Sequence, residues 1–378
     1  MPSPSRKILF VVTEDWFFAS HFLPMARAAR EMGLEVCVVT RVRAHAAAIV
    51  ATGARLIPLE AERRSLNPLT AIGVVRRLAR IMKAERPDIV HCIALKPILL
   101  GGLAARLAGI RRRVFALTGL GLIGAKQDVL GRASRAAVKA AIRGPLSTAD
   151  TRFLFENPDD PRLLGLAADS ENVTIVGGAG VDPAAFPELS LPALLPLRVA
   201  LVARMLWSKG VDIAVEAVGL ARQQGADVEL SLYGAPDPSN PKAVPLATLA
   251  EWSRRDGITW HGHAEKVAAL WREHHVACLP SRGGEGLPRT LLEAAACGRA
   301  IVTTDVPGCR SFVRDGETGL VVPAGDAAAL AAAFIALAAN PARVAAMGRA
   351  ARQQVLLGYT ERQVMETVKG LYTEMLAH

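Results

Sequence analysis

The sequence predicts an α/β fold built as two doubly wound parallel-sheet domains, and three observations carry that expectation. Short apolar runs of strand length alternate with longer Ala-rich and Arg-rich stretches of helical spacing. The composition is 51% hydrophobic but only 5% aromatic, with Ala, Leu and Val dominant, which suits helices packed on parallel strands better than a β-sandwich. At 378 residues the chain is long enough for two domains, each with its own core.

In chain order, residues 6–13 read as a first strand, followed by a loop containing His21 and then a helix from about Phe22 to Met32 that stops at Gly33. Further strands are expected at Glu35–Thr40, Arg55–Pro58, Asp88–Cys92, Arg113–Leu117 and Val173–Val176. In such sheets ligands sit outside the carboxyl ends of the strands, so the loops His91–Pro97, with Lys96, and Thr118–Gly121, with Gly119 and Gly121, are candidate ligand loops. Their glycines allow a ligand to approach the backbone closely, although a bare GLG is no nucleotide fingerprint. His21 reads either as a packing or capping histidine or as a catalytic group.

Glycines 177, 178 and 180 mark a hinge, so the first domain is expected over residues 1–181 and a Pro-, Leu- and Ala-rich linker over 182–196. The second domain, 197–359, opens on a buried strand from Leu197 to Ala203, a loop holding Arg204 and Lys209, and a helix from Val211. Strands are expected at Val228–Tyr233 and Gly257–Gly262, and helices at Val267–His275 and Ala327–Ala339. Gly316, Gly319 and Gly325 shape turns beyond the sheet, and a last helix over 360–378 is expected to cross back to the first domain.

Charge divides the chain unevenly. Residues 1–181 hold 26 Lys and Arg against 15 Asp and Glu, a net +11, whereas the remainder holds 19 against 20, a net −1. The segment Arg63–Arg143 alone carries 17 basic and 3 acidic residues, and within it Arg63–Arg86 spaces Leu69, Ile72, Val75, Leu78 and Ile81 or Met82 as a basic amphipathic helix. That face suits an anionic membrane surface; nucleic acid ranks lower, because no aromatic interleaving or recognised binding motif accompanies the charge. The five cysteines are scattered without a CxxC, which points to free thiols in a reducing compartment. The short apolar run after Arg6 is too brief for a signal peptide, and Arg106 interrupts the best membrane-span candidate, so a cytoplasmic protein is expected. The histidines at 261, 263, 274 and 275 lack the spacing and partners of a metal site, and no metal is expected.

The densest chemistry lies in CLPSRGGEGLPRTLLEAAACGRAIVTTDVP, residues 278–307. A buried strand ends at Pro280, Gly283, Gly284 and Gly286 loosen a loop that contains Glu285, Pro288 suits a helix's first turn, and Gly298 ends that helix. Arg289 faces the positive end of the helix dipole, a placement that costs about 0.3–1 kcal/mol unless an anion lies near, and therefore suggests phosphate. Glu293 is placed deeper in the same helix, near its exposed end. Arg204 and Lys209, standing before another helix start, form a second expected anion site. Taken singly, Glu285 and Glu293 read as solvated residues.

Taken together, EGLPRTLLEAAACGRAIVTTDVPG resembles the carboxylate-pair signature of the family-4 retaining glycosyltransferases of the GT-B fold. HCIALKPILLGGLAARLAG, ALTGLGLIG, FENPDD, GGAGVD and VARMLWSKGVD follow in that family's order, most like the branch that extends sugars on polyprenyl-diphosphate carriers. The resemblance implies two Rossmann-like domains facing a central cleft, a nucleotide-sugar donor, expected to be UDP-linked, and a membrane-associated acceptor of the undecaprenyl-diphosphate-sugar type at the inner face of the plasma membrane. It implies that Arg204 and Lys209 hold the donor diphosphate, Glu285 the transferred sugar and Glu293 the ribose, with Gly286, Leu287 and Arg289 around them and no cofactor or metal. Acceptor contacts fall to His21, Lys96, Gly119 and Gly121. Two departures stand out: Leu287-Pro288 replaces the family's Phe-Gly, and Thr118 stands where several relatives carry a histidine. The rival readings are transfer to a soluble acceptor, a sugar-nucleotide epimerase, and a nucleic-acid-binding protein with an inactive sugar site.

Overall fold

The structure, a computed structural model, describes residues 5–60, 68–119, 129–193, 195–237 and 240–377. The chain divides into two compact units, the first comprising residues 1–180 and 361–378, the second 181–360.

The first unit is a seven-stranded, wholly parallel sheet in the order β3-β2-β1-β4-β5-β6-β7. The strands are β1 (Lys7–Glu14), β2 (Glu35–Arg41), β3 (Arg55–Pro58), β4 (Ile89–Ile93), β5 (Arg113–Leu117), β6 (Thr151–Phe155) and β7 (Val173–Ile175). Their central members are buried along their length, as parallel strands covered on both faces must be. One face packs Phe10, Ile89 and Ile93 against the helix Leu23–Glu31 and the C-terminal helix Glu361–Ala377. The other packs Leu9, Val90 and Phe115 against the helices Pro68–Glu85 and Leu95–Leu107. In Pro68–Glu85 the buried stripe is Val74, Val75, Leu78, Ala79 and Met82, while Ile72 is 49% exposed. Periodicity alone had assigned Ile72 to the stripe, but the face turns away from the core there.

Several local expectations are corrected. The loop expected around His21 is a helix, Asp15–His21, whose Asp15 carboxylate is fully buried and accepts from the amides of Arg43 and His45 at 2.6 and 3.0 Å. The expected loop His91–Pro97 hardly exists: β4 runs through His91 to Ile93, Ala94 turns the chain at φ 69°, and a helix begins at Leu95. Strand β6 was not expected, because Arg152 interrupts its apolar run; that side chain reaches out to Glu374 at 2.7 Å on the C-terminal helix.

The second unit is a six-stranded parallel sheet ordered β10-β9-β8-β11-β12-β13. Its strands are β8 (Leu197–Val202), β9 (Val228–Tyr233), β10 (Ile258–Gly262), β11 (Val276–Leu279), β12 (Ala300–Thr304) and β13 (Gly319–Val322). The last of these runs through the segment expected to be only turns. The helix expected over Val267–His275 stops at Leu270, since His274 and His275 turn inward: His275 Nδ1 accepts from the Arg198 amide at 2.9 Å and its Nε2 lies 3.0 Å from the Ala193 carbonyl. The segment 182–196, with the composition of a linker, packs on this unit. Phe186 enters its core, and the buried Arg299 guanidinium donates to the carbonyls of Leu189 and Ser190 at 2.6 and 2.9 Å. Among the described residues no single helix is long and apolar enough to cross a membrane.

His91 is fully buried between Phe10, Phe22 and Tyr372, its Nδ1 2.8 Å from the Tyr372 hydroxyl. Burial holds its pKa down at about 3. The folded chain therefore keeps His91 neutral while the unfolded chain takes up a proton near pH 6.5, so this contribution is complete above pH 6.5 and declines as pH falls toward 3. Denaturant titrations should show wild type losing stability across that window more steeply than His91→Phe, by up to about 1.4 kcal/mol per pH unit.

Candidate active site

In the second sheet the chain winds outward in opposite directions from β8 and β11, and ligands of such sheets bind outside the carboxyl ends of the strands at this switch point. The loop after β8 carries Arg204 and, in a single turn Trp207–Lys209, the lysine; Gly210 at φ 70° then admits the helix Val211–Gln223. The loop after β11 carries Ser281, Glu285, Gly286 and Leu287, and Pro288 precedes the helix Arg289–Ala296. Pro288 is thus the cap residue, one position before the first turn. Gly298 at φ 75° closes that helix, its amide and that of Arg299 donating to the Ala295 and Ala294 carbonyls.

Lys209 and Glu285, from different loops, meet directly. Lys209 Nζ donates to Glu285 Oε1 and Oε2 at 2.7 and 2.8 Å, and Ser281 Oγ donates to Oε1 at 2.7 Å. The side chains are only 19% and 9% exposed, so the pair is shielded from water more than a surface salt bridge. Its seat is backed by the next βα unit: Thr304 Oγ1, at the end of β12, donates to the Ser281 carbonyl at 2.5 Å, and Gly308 packs so tightly that a Cβ there would lie 2.1 Å from the Gly286 oxygen.

Glu293, expected near an exposed helix end, is instead 8% exposed, because the helix is buried continuously from Leu291 to Ala296. Arg289 Nε donates to it at 2.7 Å one turn earlier. Burial pushes the Glu293 carboxyl above the usual range, and Arg289 pulls it back. Arg204 is 42% exposed, with its guanidinium 3.7 Å from Asp237.

The structure therefore groups Lys209 with Glu285 and Arg289 with Glu293. The candidates of the first unit stand at the carboxyl ends of its strands: His21 in the last turn of its helix, its ring tilted against Phe17 at 4.8 Å and 2.6 Å from Ser20 Oγ, Lys96 in the first turn of Leu95–Leu107, and Thr118 and Gly119 just after β5. Gly121 lies outside the described residues. Sequence reasoning missed Ser281, Thr304 and Gly308, of which only Ser281, four residues before Glu285, offered a positional hint. Glu35, Cys37 and Glu85 bring possible metal ligands within 4.8 Å of one another, but at the opposite ends of the strands. Lys7 at 2.9 Å and Arg55 at 2.5 Å already neutralise Glu85, and burial raises the Cys37 thiol to about 11, so the cluster reads as an ion-pair network.

Two family profiles match the chain, one described as glycosyl transferases group 1 over residues 196–340 and one as glycosyl transferase 4-like over residues 7–150. The chain belongs to the family-4 glycosyltransferases of the GT-B fold. This glycosyltransferase is 26% identical to the N,N'-diacetylbacillosaminyl-diphospho-undecaprenol alpha-1,3-N-acetylgalactosaminyltransferase of Campylobacter jejuni, across 79% of this chain and 81% of that one. It is 30% identical to the amylovoran biosynthesis glycosyltransferase AmsK of Erwinia amylovora, over 55% of this chain and 53% of that one. Among solved structures, Anabaena HepE in complex with UDP-glucose superposes with a TM-score of 0.79 at 14% identity, covering 97% of this chain and 99% of that one.

Because Arg289 is the cation that opposes the burial of Glu293, Arg289→Met should raise the pH at which the Glu293 carboxyl titrates. Carbon-13 NMR of the side-chain carboxylates in both proteins checks this; an unmoved titration would show that Arg289 does not set it.

Proposed function

We propose that this glycosyltransferase is a retaining hexosyltransferase that moves a hexose or N-acetylhexosamine from a UDP-linked donor to a sugar carried on undecaprenyl diphosphate, in assembly of a surface polysaccharide or glycan. The observation that carries the reading is the Lys209–Glu285 ion pair at the switch point of the second sheet. A cation and a carboxylate in contact are what a sugar diphosphate needs on either side of the bond to be broken: positive charge for the diphosphate, an acceptor of hydroxyl hydrogen bonds for the sugar. The C. jejuni relative, named for a diphospho-undecaprenol substrate, and the UDP-glucose complex of the structural neighbour support the choice of acceptor and nucleotide.

In this mechanism Arg204 and Lys209 hold the diphosphate, and Glu293, kept in place by Arg289, receives the ribose hydroxyls. Glu285, oriented by Ser281, receives the sugar hydroxyls, and Gly286 and Leu287 bring backbone to the donor. As the anomeric C–O bond breaks, negative charge grows on the departing diphosphate, and fixed cations stabilise that charge without a metal ion. The acceptor hydroxyl attacks from the face the leaving group vacates, and its proton passes to a leaving phosphate oxygen, so configuration is retained. Acceptor contacts fall to His21, Lys96, Gly119 and Gly121.

The membrane reading rests on the first unit. Arg76, Arg77, Arg80 and Lys83 are all exposed on the helix Pro68–Glu85, with Ile72 exposed beside them. Each basic residue near an anionic leaflet contributes about 1 kcal/mol of attraction. A location on the inner face of the plasma membrane follows from that attraction and from the lipid acceptor.

The test is a panel of nucleotide-sugars incubated with membrane extract containing polyprenyl-diphosphate sugars. Transfer to lipid is expected with a UDP-sugar, reduced at least about 10²-fold in Glu285→Ala and Lys209→Ala, with an α-configured product from an α-donor by NMR. Undiminished turnover in both variants would reject the site, and conversion of the nucleotide-sugar to its epimer with no acceptor would favour an epimerase. Flotation on anionic vesicles at low salt should carry the protein with the lipid and lose it at high salt; protein that stays at the bottom of the gradient would reject the membrane surface as a partner.

A further inference from the structure

The two loops that carry the candidate donor site belong to different βα units, and a side chain outside the site ties them together. Arg282 grips Asp212 as a fork: Nη1 donates to Oδ1 at 2.7 Å and Nη2 to Oδ2 at 2.6 Å, while Nη1 also donates to the Trp207 carbonyl at 2.5 Å. The Arg282 amide donates to the Ser208 carbonyl at 2.8 Å, which Ser281 Oγ also approaches at 3.2 Å. Arg282 stands three residues before Glu285, and Asp212 three residues after Lys209 in the first turn of its helix.

We propose that the Arg282–Asp212 pair is a positioning clamp that sets the Lys209 turn against the Glu285 loop, and so fixes how far the diphosphate lies from the transferred sugar. The inference rests on reading Lys209 and Glu285 as the donor site. A bidentate fork constrains distance and rotation together, which one hydrogen bond cannot do, and its third contact holds the Trp207 carbonyl at the root of the lysine's turn. The pair is about one-third exposed, so its contribution to global stability is small. Its consequence is geometric: a displacement of about 1 Å in reacting groups costs on the order of 10²-fold in rate.

The test combines Asp212→Asn, Arg282→Gln and the double variant, measured for kcat, donor KM and thermal midpoint, with Arg282→Lys as a variant that keeps the charge but loses the fork. The clamp predicts a fall in kcat of about 10- to 100-fold in each single variant with donor KM and thermal midpoint little changed, and a double variant no worse than the worse single. Arg282→Lys should recover little, because one ammonium cannot make the fork. Unchanged kcat, losses that multiply in the double variant, or losses that follow the thermal midpoint would each overturn it. A second measurement is independent of turnover: nitrogen-15 NMR of the Lys209 ammonium, whose bonds to Glu285 slow its proton exchange. That protection should be lost in Asp212→Asn, and its retention would overturn the clamp whatever the enzyme turns over. Protection lost in the variant, together with wild type that turns over no nucleotide-sugar, would instead leave the clamp standing and reject the donor reading.

Discussion

The arrangement of the second unit depends on how closely the loop after β8 can approach the loop after β11. At Gly210 a Cβ would stand 1.9 Å from the Pro280 carbonyl oxygen, and the backbone sits at φ 70°, a region that side-chain-bearing residues rarely adopt. The chain therefore needs glycine there for two independent reasons. That contact lets the short turn carrying Lys209 reach the carboxylate of a loop from another βα unit. Gly308 does the same from the far side, against the Gly286 carbonyl. The glutamate loop is held between two glycine contacts and a hydroxyl bond from Thr304.

Electrostatics then settles which groups can share so confined a space. Two carboxylates drawn toward the end of one helix would repel each other and resist burial, and each is accompanied by a cation: Glu285 by Lys209 and Glu293 by Arg289. The second pairing explains why an arginine is tolerated in the first turn of a helix, where the dipole disfavours it: its partner carboxylate lies one turn on. The same economy appears at the amino end of the first sheet, where Lys7 and Arg55 neutralise Glu35 and Glu85 at the starts of three strands.

Much of this was legible in the sequence where a local pattern and its tertiary role agree. The strands at Arg55–Pro58, Arg113–Leu117 and Val228–Tyr233 lie where their apolar runs place them, as does the helix starting at Val211 after Gly210. Legibility failed where long-range contacts decide. Arg152 breaks the pattern of β6 because its partner Glu374 lies on the last helix, and His91 looks like a loop residue until Tyr372 supplies a partner inside the core. Glu293 reads as a surface glutamate because helical spacing does not say which face meets the sheet. Lys209 and Glu285 were named from motif and setting, but their contact is a property of the sheet's winding. Ser281, which donates to Glu285, offered only its place four residues earlier, and Arg282 and Asp212, which join the two loops, carry no signal of their own.

The central claim, that the Lys209–Glu285 pair marks where a nucleotide diphosphate binds, is tested most directly by phosphorus-31 NMR of UDP titrated with the protein. The account predicts that the β-phosphate signal shifts and broadens with wild type and that the effect is lost in Lys209→Ala, while the variant stays folded by circular dichroism. An identical β-phosphate response in wild type and Lys209→Ala would contradict it and place the diphosphate elsewhere on the chain.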